Sequence, residues 1–130
     1  MSDNNKEIVR KVNKSFANGD FEEFLSSCAE DVEWTIYGDR TVKGREAIRD
    51  WMRQMAAENP EPPIFIGSDL VLADGDYVVS RGEMKMKDKS GKTIPYSYCD
   101  IYRFRGAEIA ELQSFVVNIA PEAKASSQAG

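Results

Sequence analysis

One strand-like segment of the chain combines a carboxylic acid with a row of aromatic side chains. An extended strand alternates its side chains between two faces, so one face of residues 96–104 carries every second residue. That face holds Tyr96, Tyr98, Asp100, Tyr102 and Phe104. Apolar surroundings disfavour an anion, so the acid either stays protonated or is held charged by a partner. Asp100 is therefore a candidate for acid–base chemistry, and the structural alternative is an edge-exposed acid beside amphipathic tyrosines.

The chain contains no histidine, and this absence narrows the available chemistry. It excludes Ser-His-Asp and Cys-His triads and zinc sites built from histidine. Acid–base catalysis would fall to Asp, Glu, Tyr or Lys. The two cysteines, Cys28 and Cys99, have no neighbours at metal-ligand or redox spacing. We therefore expect no metal site, and reduced thiols in a cytoplasmic protein.

Length and composition indicate one globular domain. The chain has 130 residues, of which 42% are hydrophobic, and this is enough for a packed core. Its net charge of −5 would repel phosphate backbones, so nucleic acid is not an expected partner. The polar N-terminus, residues 1–6, does not resemble a signal peptide, and no window reaches the length of a membrane span.

Hydrophobic periodicity and turn residues predict the elements that must position Asp100. Apolar residues at helical spacing predict helices over about 4–17, 21–28 and between Gly44 and Asn59. Strands are predicted over 32–37, 64–72, 77–87, 93–105 and 108–119, and Gly-containing turns join the last four. Helices gathered beside an antiparallel meander define an α+β fold. A sheet of this length curls around its helices and leaves a conical cavity suited to a small molecule.

This order of elements resembles the nuclear transport factor 2-like superfamily, in its SnoaL-like and ketosteroid isomerase-like branch. The matching segments are Asn18–Asp20, Glu30–Trp34, Lys43–Ile48 and Asp100–Gly106. The resemblance implies a cone-shaped, cystatin-like α+β roll, in which a strongly curved, mostly antiparallel sheet wraps around three N-terminal helices. It also implies a single domain over residues 1–120, and the Ala/Ser-rich composition of residues 121–130 predicts a flexible tail after it.

The resemblance gives Asp100 a role. In ketosteroid isomerase an acid in the matching strand motif faces the cavity and donates a hydrogen bond, because its apolar site keeps it neutral. We therefore expect cofactor-independent proton transfer on an apolar, carbonyl-bearing ligand, as in an isomerase, cyclase or lyase, with Asp100 as the acid or base. The residues expected to line the ligand site are Trp34, Thr35, Trp51, Tyr98, Tyr102, Leu112, Ser114 and Val116.

The chain departs from the isomerase pattern at its other polar positions. By the same resemblance, the general base would fall at Thr35, the oxyanion tyrosine at Val12, and two supporting tyrosines near Cys28 and Met52. Threonine cannot take a proton unaided at neutral pH, so steroid isomerisation by that mechanism is not expected. A non-catalytic ligand-binding domain and a dimerisation domain therefore stay open as alternatives.

A second enzyme of the superfamily offers a further alternative. The segment Arg81–Glu83 resembles the Arg-x-Asp element with which limonene epoxide hydrolase activates water, but the second acid of that site would fall near Ser114. The more apolar face of this strand should turn inward, which would put Arg81 and Glu83 outside.

The opposite face of the predicted sheet carries an apolar patch. It consists of Cys99, Ile101, Phe115 and Val117. Helices would cover only the concave side, and members of the superfamily commonly pair through the convex sheet face. We therefore expect a homodimer that buries this patch.

Overall fold

The computed structural model describes residues 2–59 and 61–121, and it describes the side chains of all these residues except 2, 3 and 67–69. Within these ranges the chain forms three helices and a six-stranded sheet. The predicted tail lies outside the described residues except for its first residue, and the proposed domain boundary before it stays a prediction.

The three helices follow from apolar stripes and clear stop signals. They span Ser2–Ala17 (α1), Phe21–Ser26 (α2) and Arg45–Glu58 (α3). The side chain of Asp20 caps α2 by accepting a hydrogen bond from the Glu22 amide at 3.1 Å, which satisfies one of the free amides of the first turn.

The strands form one open, mostly antiparallel sheet. They are β1 (Cys28–Ile36), β2 (Arg40–Lys43), β3 (Ile64–Asp74), β4 (Tyr77–Lys87), β5 (Thr93–Arg105) and β6 (Glu108–Asn118). Their order across the sheet is β2-β1-β6-β5-β4-β3, so β2 and β3 are the edges. Among the described strands, β1 and β6 alone pair in parallel, and this pairing joins the first of these strands to the last.

Strand β2 is the element that the sequence pattern did not predict. It has four residues and forms an antiparallel hairpin with β1, in which Trp34 pairs with Val42. Gly38, at φ +84°, supplies the turn between the two strands. The residues of β2 other than Val42 are polar and exposed, as is typical of a short edge strand, so β2 shows no hydrophobic alternation.

The core lies between the helices and one face of the sheet, which we call the concave face. Helix α1 packs on β3 and β4, and α3 packs on β1 and β2. The helices contribute Val9, Val12, Phe24, Leu25 and Ile48, and the sheet contributes Val78, Tyr102, Phe104, Ile109 and Leu112. The predicted α+β fold, with helices on one side of a curved and mostly antiparallel sheet, is confirmed.

Candidate functional site

Three polar residues lie side by side at the centre of the concave face. Ser80 on β4 pairs with Asp100 on β5, and Asp100 pairs with Ser114 on β6. Directly paired residues of antiparallel strands point to the same face, so the three side chains are neighbours. The two serines are 0% and 4% exposed. We call Ser80, Asp100 and Ser114 the polar row.

The carboxyl group of Asp100 is desolvated, although the residue as a whole keeps some exposure. Burial raises the pKa of Asp100 to about 7, and a hydrogen bond with Ser114 acts in the opposite direction but more weakly. Near neutral pH both protonation states are therefore populated. A carboxyl group in this condition can take a proton from a ligand or donate a hydrogen bond to one.

Trp34 fixes the direction of the hydrogen bonds at Ser114. Its indole Nε1 donates to Ser114 Oγ at 2.8 Å. Indole nitrogen can only donate, so the serine oxygen is the acceptor of this bond and its own hydrogen remains for Asp100. The result is a directed chain from Trp34 through Ser114 to Asp100, and this chain favours the charged form of the carboxyl group.

Helix α1 is attached to the other end of the polar row. Asn13 Nδ2 donates to Ser80 Oγ at 2.8 Å, in a contact that joins residues 67 positions apart in the chain. The bond joins the C-terminal half of α1 to the β4 end of the polar row. Because Ser80 is fully buried, this contact also satisfies a polar group that would otherwise cost free energy.

Aromatic and aliphatic side chains surround the polar row. Tyr98, Tyr102 and Leu112 are 6%, 0% and 1% exposed and share the concave face. The Tyr98 ring packs edge-on against Phe65 of β3, with ring centroids 5.7 Å apart. This apolar wall explains the desolvation of Asp100 and would suit a ligand that is largely apolar.

A pair of tryptophans closes the row on the β1 side. The rings of Trp34 and Trp51 meet nearly at right angles, with centroids 5.2 Å apart. The Arg40 guanidinium lies 5.7 Å from the centre of the Trp51 ring, at the partly exposed end of the pair. Trp34 thus contacts the polar row directly, whereas Trp51 packs against Trp34.

Within residues 2–59 and 61–121, no three His, Cys, Asp or Glu side chains are grouped as metal ligands. Of the helices that the structure describes, none is long and apolar enough to cross a membrane.

Comparison with known proteins identifies the family. The sequence model of the SnoaL-like domain matches residues 9–112, which is most of the chain. This chain belongs to the SnoaL-like domain family. The resemblance to the nuclear transport factor 2-like superfamily is thereby confirmed. No functionally curated protein matches the chain.

Solved structures agree with this assignment of the SnoaL-like chain. An NTF2-like protein of unknown function from Cytophaga hutchinsonii is 27% identical, with a TM-score of 0.71 over 86% of this chain and 98% of that one. TerC, co-crystallised with polyporic acid, is 20% identical, with a TM-score of 0.74 over 85% and 89%. A protein with a ketosteroid isomerase-like fold from Catenulispora acidiphila, in complex with trimethylamine, is 21% identical, with a TM-score of 0.72 over 83% of each chain. The last two comparisons concern the fold alone.

In this SnoaL-like chain Thr35 does not lie on the concave face. Trp34 points to the polar row, so the next residue along the strand points to the other side. Thr35 Oγ1 lies 3.0 Å from Thr41 Oγ1 of β2, in an exposed contact. This placement corrects the prediction that Thr35 lines the ligand site. The prediction was made by counting residues from Gly38 and Gly44. This counting selected a residue on the outer face of β1, whereas Trp34 lies on the concave face.

Val116 is placed at the edge of the candidate site. It follows Ser114 on the same face of β6, but it is 39% exposed. The helices therefore cover this strand as far as Ser114 and leave its last residues open. Val116 therefore lies at the open end of the predicted ligand site, and its role in lining that site stays a prediction.

The remaining departures from the family pattern are structural. Val12 and Cys28 are fully buried and Met52 nearly so, which makes all three core residues. Burial raises the pKa of the Cys28 thiol to about 12, so this cysteine is a poor nucleophile.

The Arg-x-Glu segment of β4 lies on the outer face, as its alternation predicted. Arg81 and Glu83 are exposed, and Arg81 Nη2 donates to Ser97 Oγ at 3.2 Å. A water molecule activated there would be separated from the polar row by the sheet. The structure therefore does not favour the limonene epoxide hydrolase-like alternative.

Two residues of the site were not identified from the sequence. These are Ser80 and Asn13, for which the sequence pattern predicts no role. The turn at Asp88–Gly91 contains a usable signal, because a hairpin closed there pairs Lys87 with Thr93 and hence Ser80 with Asp100. No comparable signal links Asn13 to Ser80, since that contact depends on how α1 docks on the sheet.

Proposed function

We propose that this protein is a small-molecule enzyme that transfers protons on an apolar, carbonyl-bearing ligand, with Asp100 as the acid or base. The observation that carries the proposal is the desolvated Asp100 carboxyl group in the middle of the polar row. Its pKa of about 7 allows both halves of a proton transfer at neutral pH. The proposed reaction class is that of the isomerases and cyclases of this superfamily.

The proposed chemistry needs one proton and no electron transfer. The Asp100 carboxylate takes a proton from the carbon next to the ligand carbonyl, and the electron pair of the broken C–H bond forms an enolate. The protonated Asp100 then returns the proton to the same or a conjugated carbon. Ser114 stabilises the carboxylate before the first step, and the surrounding apolar wall favours the neutral acid after it. No step is assigned to a metal or to an organic cofactor.

The test uses exchange of carbon-bound hydrogen for deuterium. The ketone 2-tetralone, which is apolar and has acidic hydrogens next to its carbonyl, is incubated with the protein in D₂O and followed by proton NMR. We expect the protein to accelerate exchange, and we expect the Asp100→Asn variant to lose that acceleration. The matched control is Glu33→Gln, which removes an exposed acid from the outer face of β1, two residues before Thr35.

The pH profile supplies an independent readout. If Asp100 acts as a base, exchange should rise with pH and level off above about 8, because the pKa of Asp100 is about 7. Acceleration that survives in Asp100→Asn would reject Asp100 as the acid–base group.

A non-catalytic ligand-binding domain is the second candidate function. It is favoured by the outward position of Thr35 and the core position of Val12, which leave the isomerase's other polar groups without counterparts. Among the acids whose side chains the structure describes, Asp100 is the one on the concave face. A ligand that binds without any exchange, across a series of ketones, would favour this function over the enzyme.

We also propose that two copies of the chain pair through the outer face of the sheet. Tyr37 stacks on Phe115 there, with ring centroids 4.4 Å apart, and both rings remain exposed, at 48% and 39%. Val117 is 58% exposed beside them. An apolar surface of this kind on a sheet commonly marks an interface.

We propose a cytoplasmic location as well. Cys28 and Cys99 are both free thiols, and free thiols persist in a reducing compartment. Fluorescence microscopy of a tagged chain would test this location.

A further inference from the structure

A cleft opens between α1 and the strands at the β3 side of the sheet. Its volume is about 210 Å³. Helix α1 contributes Arg10, Asn13, Lys14 and Ala17, and the strands contribute Phe65, Ile66, Glu83 and Tyr98. The cleft is open to solvent on one side and apolar on the other, where the two aromatic rings lie.

The floor of the cleft depends on a glycine. Gly82 of β4 is paired with Tyr98 of β5, and a Cβ atom at Gly82 would lie 2.6 Å from the Tyr98 hydroxyl. The Tyr98 ring therefore lies across Gly82 and reaches Phe65 on β3. Because position 82 has no side chain, the Tyr98 ring can occupy the space above it and form the bottom of the cleft.

The residues of the polar row do not line the cleft, but two of its lining residues, Asn13 and Tyr98, connect it to that row. Tyr98 is two residues from Asp100 on the same face of β5. Asn13, which lines the cleft, donates to Ser80, and Ser80 is paired with Asp100. A ligand that enters between α1 and Tyr98 would therefore approach Asp100 along the concave face.

The α1 side of the cleft is positively charged, although the chain as a whole carries a net charge of −5. Arg10 is paired with Glu7 at 2.6 Å. Lys14 has no ion-pair partner among the residues whose side chains the structure describes, and it remains exposed. Glu83, on the strand side, is the one acid among the lining residues. The lining cation without an ion pair therefore lies on α1.

We infer that this cleft admits the ligand of the Asp100 site and selects flat, mostly apolar ring compounds that carry an anionic group, with Lys14 binding that group. The inference rests on the proposed function, because it assigns the cleft to the same ligand. The aromatic floor accounts for the ring, and the unpaired charge of Lys14 accounts for the anion.

The first test compares two probes of the same shape. These are 2-naphthoate, which is an anion, and 2-naphthamide, which is neutral, and binding is followed by amide shifts in NMR spectra. We expect both to shift residues around Ala17 and Ile66, and we expect 2-naphthoate to bind more tightly. Lys14→Gln should weaken 2-naphthoate about threefold and leave 2-naphthamide unchanged, because the lost interaction is an exposed charge pair.

The control for charge is Lys11→Gln on the same helix. Lys11 does not line this cleft, and its ammonium lies 3.9 Å from Glu23. This variant should leave both affinities unchanged. If 2-naphthoate binds no better than 2-naphthamide, or if Lys14→Gln and Lys11→Gln have equal effects, the assignment of Lys14 is overturned.

A steric variant tests the cleft itself. Ala17 is the last residue of α1 and is exposed, so Ala17→Trp should fill the cleft without disturbing the core and weaken both probes at least tenfold. The matched control is Ala57→Trp. Ala57 is exposed on α3, which does not line the cleft, so this variant should leave the affinity for both probes unchanged. Shifts that map instead to Phe115 and Val117 would place the probes on the outer face and overturn the inference.

The proposal for the cleft and the proposal for proton transfer can be rejected independently. If Asp100→Asn loses 2-tetralone exchange while Ala17→Trp leaves probe binding intact, the cleft is wrong and the proposed function stands. If both probes bind as expected but no exchange is accelerated, the cleft stands and the enzyme proposal is wrong.

Discussion

Asp100 experiences two opposed effects, and their balance sets its chemistry. The apolar wall of Tyr98, Tyr102 and Leu112 removes solvent and favours the neutral acid. The hydrogen bond from Ser114 favours the anion, and burial is the larger effect. An acid with neither influence would be ionised throughout the physiological range and would be a weak base. The position of Asp100 in the row therefore matters more than the residue type alone.

The first prediction concerns stability. The pKa of Asp100 is about 7 in the folded chain, above its ordinary value of 3.8. The folded state therefore binds more protons than the unfolded state between these values, and stability falls as pH rises from about 4 to about 7. The Asp100→Asn variant should lack this decrease, so its stability relative to the parent chain should rise by at most roughly 4 kcal/mol over that range.

Urea unfolding of both proteins at pH 4, 6 and 8 would measure this difference. The comparison with the variant is needed because ion pairs with arginine lower the pKa of Asp31 and Glu22, and these acids act in the opposite direction. A constant difference between the two proteins would show that the carboxyl group of Asp100 is solvated.

The second prediction concerns the direction of hydrogen bonding at Ser114. Trp34→Phe removes the indole donor, so the serine hydroxyl is free to turn away from the carboxylate. The pKa of Asp100 should rise further, and the pH at which exchange levels off should rise with it.

Trp51→Phe is the matched control for this prediction. It alters the ring that packs on Trp34 but leaves the bond to Ser114 in place. Carbon-13 NMR of the Asp100 carboxyl group would measure both variants. Equal titration curves in the two variants would mean that packing, and not the hydrogen bond, is what Trp34 contributes.

Among the elements, β4 and β5 depend on each other through one close contact. Gly82→Ala should destabilise the fold by about 1–3 kcal/mol, because its Cβ would collide with the Tyr98 ring. In a Tyr98→Ala background the same change should cost almost nothing, since alanine is otherwise better tolerated in a strand than glycine. A urea double-mutant cycle would measure the coupling. Additive effects would show that the ring moves aside without cost.

Several elements could be predicted from the sequence, and each failure has a local cause. Strands β4 and β5 have the predicted ends because strong turn signals bound them. β2 was missed because an exposed edge strand has no hydrophobic alternation. The predicted orientation of Thr35 was wrong because counting residues across a turn does not determine on which side of the sheet a side chain lies. Asn13 could not be assigned, since its partner is 67 positions away and depends on helix docking.

At the scale of the whole molecule, the outer sheet face should determine the oligomeric state. Val117→Glu introduces a charge at a position that is 58% exposed, and it should convert the expected dimer into a monomer without unfolding it. Val116→Glu is the matched control, because Val116 is the adjacent residue and points to the other side of the same strand. Light scattering after size-exclusion chromatography would measure both masses. A parent chain that is already monomeric would reject the dimer.

The parallel pairing of β1 with β6 has a consequence for synthesis on the ribosome. The bond from Trp34 to Ser114 spans 80 positions, so it forms only after nearly the whole chain has been translated. Until then, the nascent chain has helices and hairpins but lacks the strand that joins its two halves. Release of the last strand from the exit tunnel is therefore the event that completes the interior, and shortened transcripts should yield products that proteases remove.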